Sequence, residues 1–92
     1  MALIDKIQEK VRNGEFEFAV PHFFEEMVND DLVFSDVENA IATGRIRRRF
    51  SHDPRGLRFE VVGRAVDGRK VAIICRMKET GKLLFITTYL VG

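Results

Sequence analysis

The sequence predicts an α+β domain in which N-terminal helices pack on a four-stranded antiparallel sheet. Three observations predict it. Apolar residues recur at helical spacing up to Gly44, the period changes to two from Arg45 onward, and closely spaced turn signals divide the second half. Ninety-two residues suffice for one hydrophobic core, so residues 1–92 are expected to form a single domain. Hydrophobic residues are 46% and charged residues 32% of the chain, the proportions of a chain that folds rather than of a disordered one. With eight Phe and no Trp, much of the burial must rest on a few large rings.

Leu3, Ile4, Ile7 and Val11 form one side of a first helix, with Asp5, Lys6, Glu9, Lys10 and Arg12 on the other and Asn13-Gly14 as the stop. Phe16, Phe18 and Val20 then alternate with Glu15, Glu17 and Ala19, and Pro21 disfavours the helical region for Val20, so a short extended piece is expected. Pro21 suits the first turn of a second helix, whose Phe23, Phe24, Met27 and Val28 fall on one face. Its end is expected near Asp30-Asp31, whose charges oppose the helix dipole. Ser35-Asp36-Val37-Glu38 has the form of a capping box, with the Ser35 hydroxyl accepting from the Glu38 amide, so a third helix is expected from there to Gly44.

Beyond residue 45 the runs RIRRRF, LRFEVVGRA, KVAIICRMK and KLLFITTYLV read as four strands. Ser51 to Gly56, Asp67-Gly68 and Glu79-Thr80-Gly81 read as the turns between them, and strands so closely spaced are antiparallel neighbours. Phe59 and Val61 share a face with Val71 and Ile73 only if the middle turn is a three-residue loop that includes Arg69, because a one-residue shift exchanges faces. The last strand is apolar on both sides and is therefore expected to be central or doubly covered.

No run of about 18 apolar residues is present, and acidic residues come too early for a signal peptide, so a cytoplasmic location without membrane contact is expected. Cys75 lies in the apolar run VAIIC as a small buried hydrophobe, and one cysteine with two distant histidines makes no zinc set. Neither metal nor cofactor is expected. The net charge of +1 conceals an asymmetry: residues 1–44 hold ten acidic and three basic side chains, residues 45–92 four acidic and twelve basic. Such polarity steers an anion to one face or docks a partner or a second copy.

Arg45, Arg47 and Arg49 alternate with Ile46, Arg48 and Phe50, which sends three guanidinium groups to one side and leaves Arg48 on the core side with two hydrophobes. There Arg48 must pair with a carboxylate, expected from the acidic helices, or point into an anion-binding cleft. The arginines either protect an edge strand from aggregation or form a phosphate-binding stripe extended by Arg58, Arg64 and Arg76. His22, in the first turn of the second helix, is structural or a general base; His52 is a loop residue or a ligand contact. Tyr89 either packs or offers a hydroxyl for proton transfer or phosphate contact.

The run from His22 to Met27, the helix SDVENAI, the stretch DPRGLRFEVVGRAVDGRKV and the closing ITTY resemble a family of small bacterial domains of unknown function related to BrnT- and RelE-type toxins. The resemblance covers roughly residues 16–91 and leaves residues 1–14 as an extra N-terminal helix. It implies a RelE-like fold, and its better-known relatives are endoribonucleases that cleave messenger RNA and are silenced by an antitoxin. Carried over, it implies metal-independent chemistry with His22 as base or acid, Arg58 and Arg64 as phosphate clamps and Tyr89 as a second proton donor or positioner. Glu26 and Asp30 stand where that family often has arginines. Two functions follow. One is a non-catalytic interaction or oligomerisation module with a protein partner or a second copy. The other is an RNA-binding or RNA-cleaving toxin of a toxin-antitoxin pair, with Arg45, Arg47, Arg48, Arg49 and Arg76 holding phosphate.

Overall fold

The computed structural model describes residues 2–52 and 54–92. Three helices, α1 (Leu3–Arg12), α2 (His22–Asn29) and α3 (Phe34–Ala42), are followed or interrupted by strands β1 (Phe16–Phe18), β2 (Arg45–Phe50), β3 (Arg58–Arg64), β4 (Lys70–Met77) and β5 (Leu83–Leu90). The strands form one open sheet in the order β1-β5-β4-β3-β2. Strands β2 to β5 are the expected antiparallel meander, but the sheet has a fifth strand, because β1 pairs parallel with β5 through Phe16↔Leu83 and Phe18↔Phe85. Ring packing explains this correction. Phe16 and Phe18 stand 5.5 Å from Phe85, and Phe16 stands 5.3 Å from Phe34, so pairing with β5 drives two more rings into the core. Strand β5 therefore lies between two neighbours, as its two apolar sides require.

The helices cover one face only. Ile7, Phe23, Met27, Val37, Ala40 and Ile41 of the helices share a single buried cluster with Phe59, Val61, Val71, Ile73, Cys75, Leu83 and Phe85 of the sheet. Ile7 is fully buried, so α1 belongs to the common core. Helix α3 rides closest to the sheet: a β-carbon on Gly63 would lie 1.9 Å from the Ala40 carbonyl oxygen, so only glycine permits the approach. Asn39 Nδ2 also donates to the Arg64 carbonyl at 2.8 Å.

Helix α3 does not start on Ser35. Its N-cap is Val33, whose amide donates to Asp36 Oδ2 at 3.0 Å. The carboxylate of Asp36 wins because it serves two elements at once, its Oδ1 accepting from the Val66 amide at 3.0 Å. Helix α2 ends at Asn29, and the aspartates after it are offset by Arg69, whose guanidinium donates to the carbonyls of Asp30 and Asp31 at 2.9 and 3.0 Å. Arg69 thereby ties the end of α2 to the β3–β4 hairpin.

That hairpin has a three-residue loop, Val66-Asp67-Gly68, closed by the Ala65 amide on the Arg69 carbonyl at 2.8 Å. The expected loop is thus displaced by one residue, with Arg69 closing it rather than lying within it, because Gly68 takes the left-handed conformation (φ +91°) at the loop end. Parity is kept, with Val61 opposite Ile73 and Phe59 opposite Cys75. Glu79-Thr80-Gly81 forms a loop of the same kind between β4 and β5. Asp53, in the turn expected between Ser51 and Gly56, lies outside the described residues.

Gly63→Ala is expected to cost about 3 kcal/mol, since the obstructing atom is backbone and relief requires α3 to move. Urea denaturation measures it, and a loss under about 0.5 kcal/mol, the range of surface substitutions, would show that α3 is not held against β3.

Candidate functional site

The face of the sheet away from the helices carries the charge. On β3 the residues alternate to the core face, Phe59, Val61 and Gly63, leave Arg58, Glu60, Val62 and Arg64 on the open face. From β4 it receives Lys70, Ala72, Ile74 and Arg76, and from β5 Leu84, Thr87 and Tyr89.

Two bulges decide which side chains reach its centre. In β2 the register shifts between Ile46 and Arg48, so Ile46 stays opposite Val61 on the core side while Arg48 comes opposite Glu60. The expected phase of β2 is corrected here. Arg45, Arg47 and Arg48 all serve the open face, Phe50 joins them opposite Arg58, and Arg49 falls on the other side opposite Phe59. In β5 the shift opposite Ile74 and Cys75 lets both Phe85 and Thr88 face the core and turns Tyr89 outward, opposite Ala72. Without that extra residue Tyr89 would share the face of Phe85.

Glu60 is where these shifts converge. It is the only acidic residue of β2 to β5, and it is 0% exposed. Arg47 grips it with two bonds, Nε to Oε2 at 3.2 Å and a terminal nitrogen to Oε1 at 2.6 Å. Arg48 Nε lies 2.9 Å from Oε2, and the Tyr89 hydroxyl donates to Oε1. Burial pushes the Glu60 carboxyl upward, but the hydrogen bonds from Arg47 and Tyr89 and the charges of both arginines outweigh it and hold the group below the ordinary value of 4.5. Its hydrogen bond to Glu60 holds Arg47 protonated, while burial and then the bond to Glu60 push the Tyr89 hydroxyl upward. The cluster is therefore an ionised carboxylate that orders two cations and keeps a phenol neutral.

Arg48 thus pairs with a carboxylate, but on the open face rather than on the expected core side, and the partner comes from the neighbouring strand rather than from the acidic helices. Its side chain is 61% exposed, which leaves the outer edge of the guanidinium facing solvent. Arg58 lies over the Phe50 ring at 5.6 Å, and Arg76 donates to the Arg55 carbonyl at 3.1 Å. Phe50, His52 and Arg58 line a cavity of about 560 Å³ with Arg49, Ser51 and Pro54. Arg58, Arg64 and Tyr89 therefore share the open face, whereas His22 is exposed at the start of α2 in the opposite layer. Sequence reading missed Glu60, although the single carboxylate of an otherwise basic four-strand meander was a visible signal.

Cys75 is fully buried in the core, which pushes its thiol up to about 12 and leaves it unreactive in the folded state. Among the described residues no group of three His, Cys, Asp or Glu side chains converges, and no helix is long and apolar enough to cross a membrane.

Residues 21–90 match a family described as a domain of unknown function, DUF4258. Comparison with curated proteins and with solved structures gave no match.

Glu60→Gln should cost about 2 kcal/mol at neutral pH, because a buried group loses its charge-assisted hydrogen bonds to Arg47 and Arg48. Since the folded carboxyl titrates below 4.5, the stability it contributes is present above that pH and lost as pH falls through the folded value. Urea midpoints of wild type and variant should therefore converge in acid, and a gap independent of pH would mean that Glu60 is not ionised.

Proposed function

Because the chain belongs to the DUF4258 family, whose function is unknown, the site must supply the reading, and we propose that the open sheet face binds the backbone of single-stranded RNA. One observation carries it: Arg47, Arg48, Arg58 and Arg76 lie on an uncovered face whose central carboxylate, Glu60, is buried under Arg47 and Arg48, while Glu17 at the β1 edge is paired with Lys78. Guanidinium groups match phosphate oxygens in shape, and Glu60 fixes two of them in advance, which lowers the entropy lost on binding. The rings of Phe50 and Tyr89 on the same face support the reading, since aromatic rings beside cations stack on bases.

The sequence likeness to BrnT- and RelE-type toxins supports RNA over other polyanions and makes a RelE-like origin for the fold part of the same proposal. Binding is favoured over cleavage. A general base must take a proton from the ribose, whereas Glu60 is committed to Arg47 and Arg48, and His22 stands in the other layer.

A second reading rests on a separate observation. On the helical side Phe24 and Val28, 43% and 78% exposed, share a shallow surface with Pro21 and Glu25, an apolar patch beside an acid. It supports a protein-interaction or self-association role that would coexist with RNA on the sheet. Light scattering tests the self-association part, and a monomer at all concentrations removes it.

For the RNA reading, four cations on phosphate give a slope of log affinity against log salt of about −3 for a single strand. Arg48→Met should weaken binding about fivefold and reduce that slope by about 0.7. Its unfolding free energy should change by less than about 1 kcal/mol, because Arg48 is itself largely exposed and Glu60 keeps its bonds to Arg47 and Tyr89. Fluorescence anisotropy beside urea denaturation measures both, and absence of salt-dependent binding would overturn the reading.

A further inference from the structure

One end of the open face has a cation cluster with no carboxylate in it. Arg45, Arg64 and Lys70 line a cavity of about 330 Å³ together with Thr43, Val62 and Gly63. The sheet register puts them there. Arg45 lies opposite Val62, Arg64 follows on the same face two residues later, and Lys70 pairs with Arg64. Val62, almost fully buried, forms the floor.

One wall, that of Arg64 and Thr43, is held before any ligand arrives. The guanidinium of Arg64 donates to the Gly68 carbonyl at 3.1 Å, and its backbone amide donates to the Thr43 hydroxyl at 3.0 Å. That hydroxyl in turn donates to the Asn39 carbonyl at 2.8 Å, so the pocket edge is anchored on the last turn of α3. At the centre of the face the cations close on Glu60, whereas at this end the residues lining the cavity include no anion.

Three cations around one small cavity are matched better by a dianion than by a monoanion, since each added negative charge interacts with all three. An internal phosphodiester carries one charge. A phosphate monoester carries between about 1.5 and 2 at neutral pH, because its second proton leaves near pH 6. We infer that this cavity is a subsite for a phosphate monoester, the terminal phosphate of a strand laid along the face. The inference rests on the RNA reading and adds to it an end preference.

Anisotropy with three ten-nucleotide RNAs of one sequence, bearing a 5′-phosphate, a 3′-phosphate or hydroxyls at both ends, tests it at fixed salt. A phosphate at one end should tighten binding about tenfold over the hydroxyl form, and the end that does so gives the strand direction. The ratio should fall to about one in Lys70→Ala and in Arg45→Ala, whose folding is checked by melting. Equal affinity for all three RNAs, or a ratio that survives both substitutions, overturns the subsite and leaves the RNA reading standing. If none of the three binds, the RNA reading fails, and inorganic phosphate then decides the subsite alone. A melting temperature raised by phosphate in wild type but not in Lys70→Ala retains an anion site, and no shift overturns it.

Discussion

The bonds from Arg47, Arg48 and Tyr89 to the Glu60 carboxylate are what the uncovered half of this fold depends on. Three short helices shield one face of a five-stranded sheet, so the other face must be closed by its own side chains. At its centre Glu60, Ala72, Ile74 and Val62 are all buried although no helix lies above them. A carboxylate there would be costly alone, and two adjacent arginines would repel each other; together they form a charge-compensated roof. Buried ion pairs seldom add net stability compared with apolar residues of the same shape. The value of this one lies in position: it holds two guanidinium groups at a fixed place on an exposed surface, which is what recognition of an anion requires.

Both bulges serve that arrangement. A regular β2 would give Arg47 and Arg48 to opposite faces, and a regular β5 would turn Tyr89 toward the helices with Phe85. One inserted residue in each strand reverses the phase from that point on, so three chemically useful side chains come to a single carboxylate from two strands that are not neighbours. The core side shows the opposite logic, close and regular packing without charge. Phe23 and Phe85 are fully buried with their ring centres 5.5 Å apart, and Gly63 lets the backbone of α3 rest on β3. Rigid packing behind the sheet keeps the front face in place.

Elements governed by local pattern were legible in the sequence. The amphipathic spacing of Leu3 to Val11 marked α1, the change of period at Arg45 marked the meander, and face parity required the odd loop between β3 and β4. What was not legible depended on partners distant in the chain. Asp36 displaces Ser35 at the start of α3 because it also receives the amide of Val66, thirty residues later. The sequence marked Phe16 to Phe18 as extended, but its parallel pairing is set by Phe34 and Phe85. The bulges escaped for the same reason. Strict alternation placed Arg48 on the core side, and only Glu60, on another strand, draws it out. The candidate site was therefore legible as a set of residue types, while its centre was not.

The order of elements converts a charge asymmetry along the chain into one across the sheet. Residues 1–44, which hold ten acidic side chains, build the helical layer and β1, and residues 45–92, with twelve basic ones, build the meander whose outer face is open. Two-fold pairing of copies through the open faces would set arginine against arginine, and pairing through the helical faces would set carboxylate against carboxylate. Only a head-to-tail contact joins unlike charges, and such a contact does not close on itself at two copies. Charge thus works against a symmetric dimer through either broad face and in favour of a partner of opposite sign. For the open face, with its arginines around a sequestered glutamate and a second cation cluster at one end, the charge is what the proposed polyanion would meet.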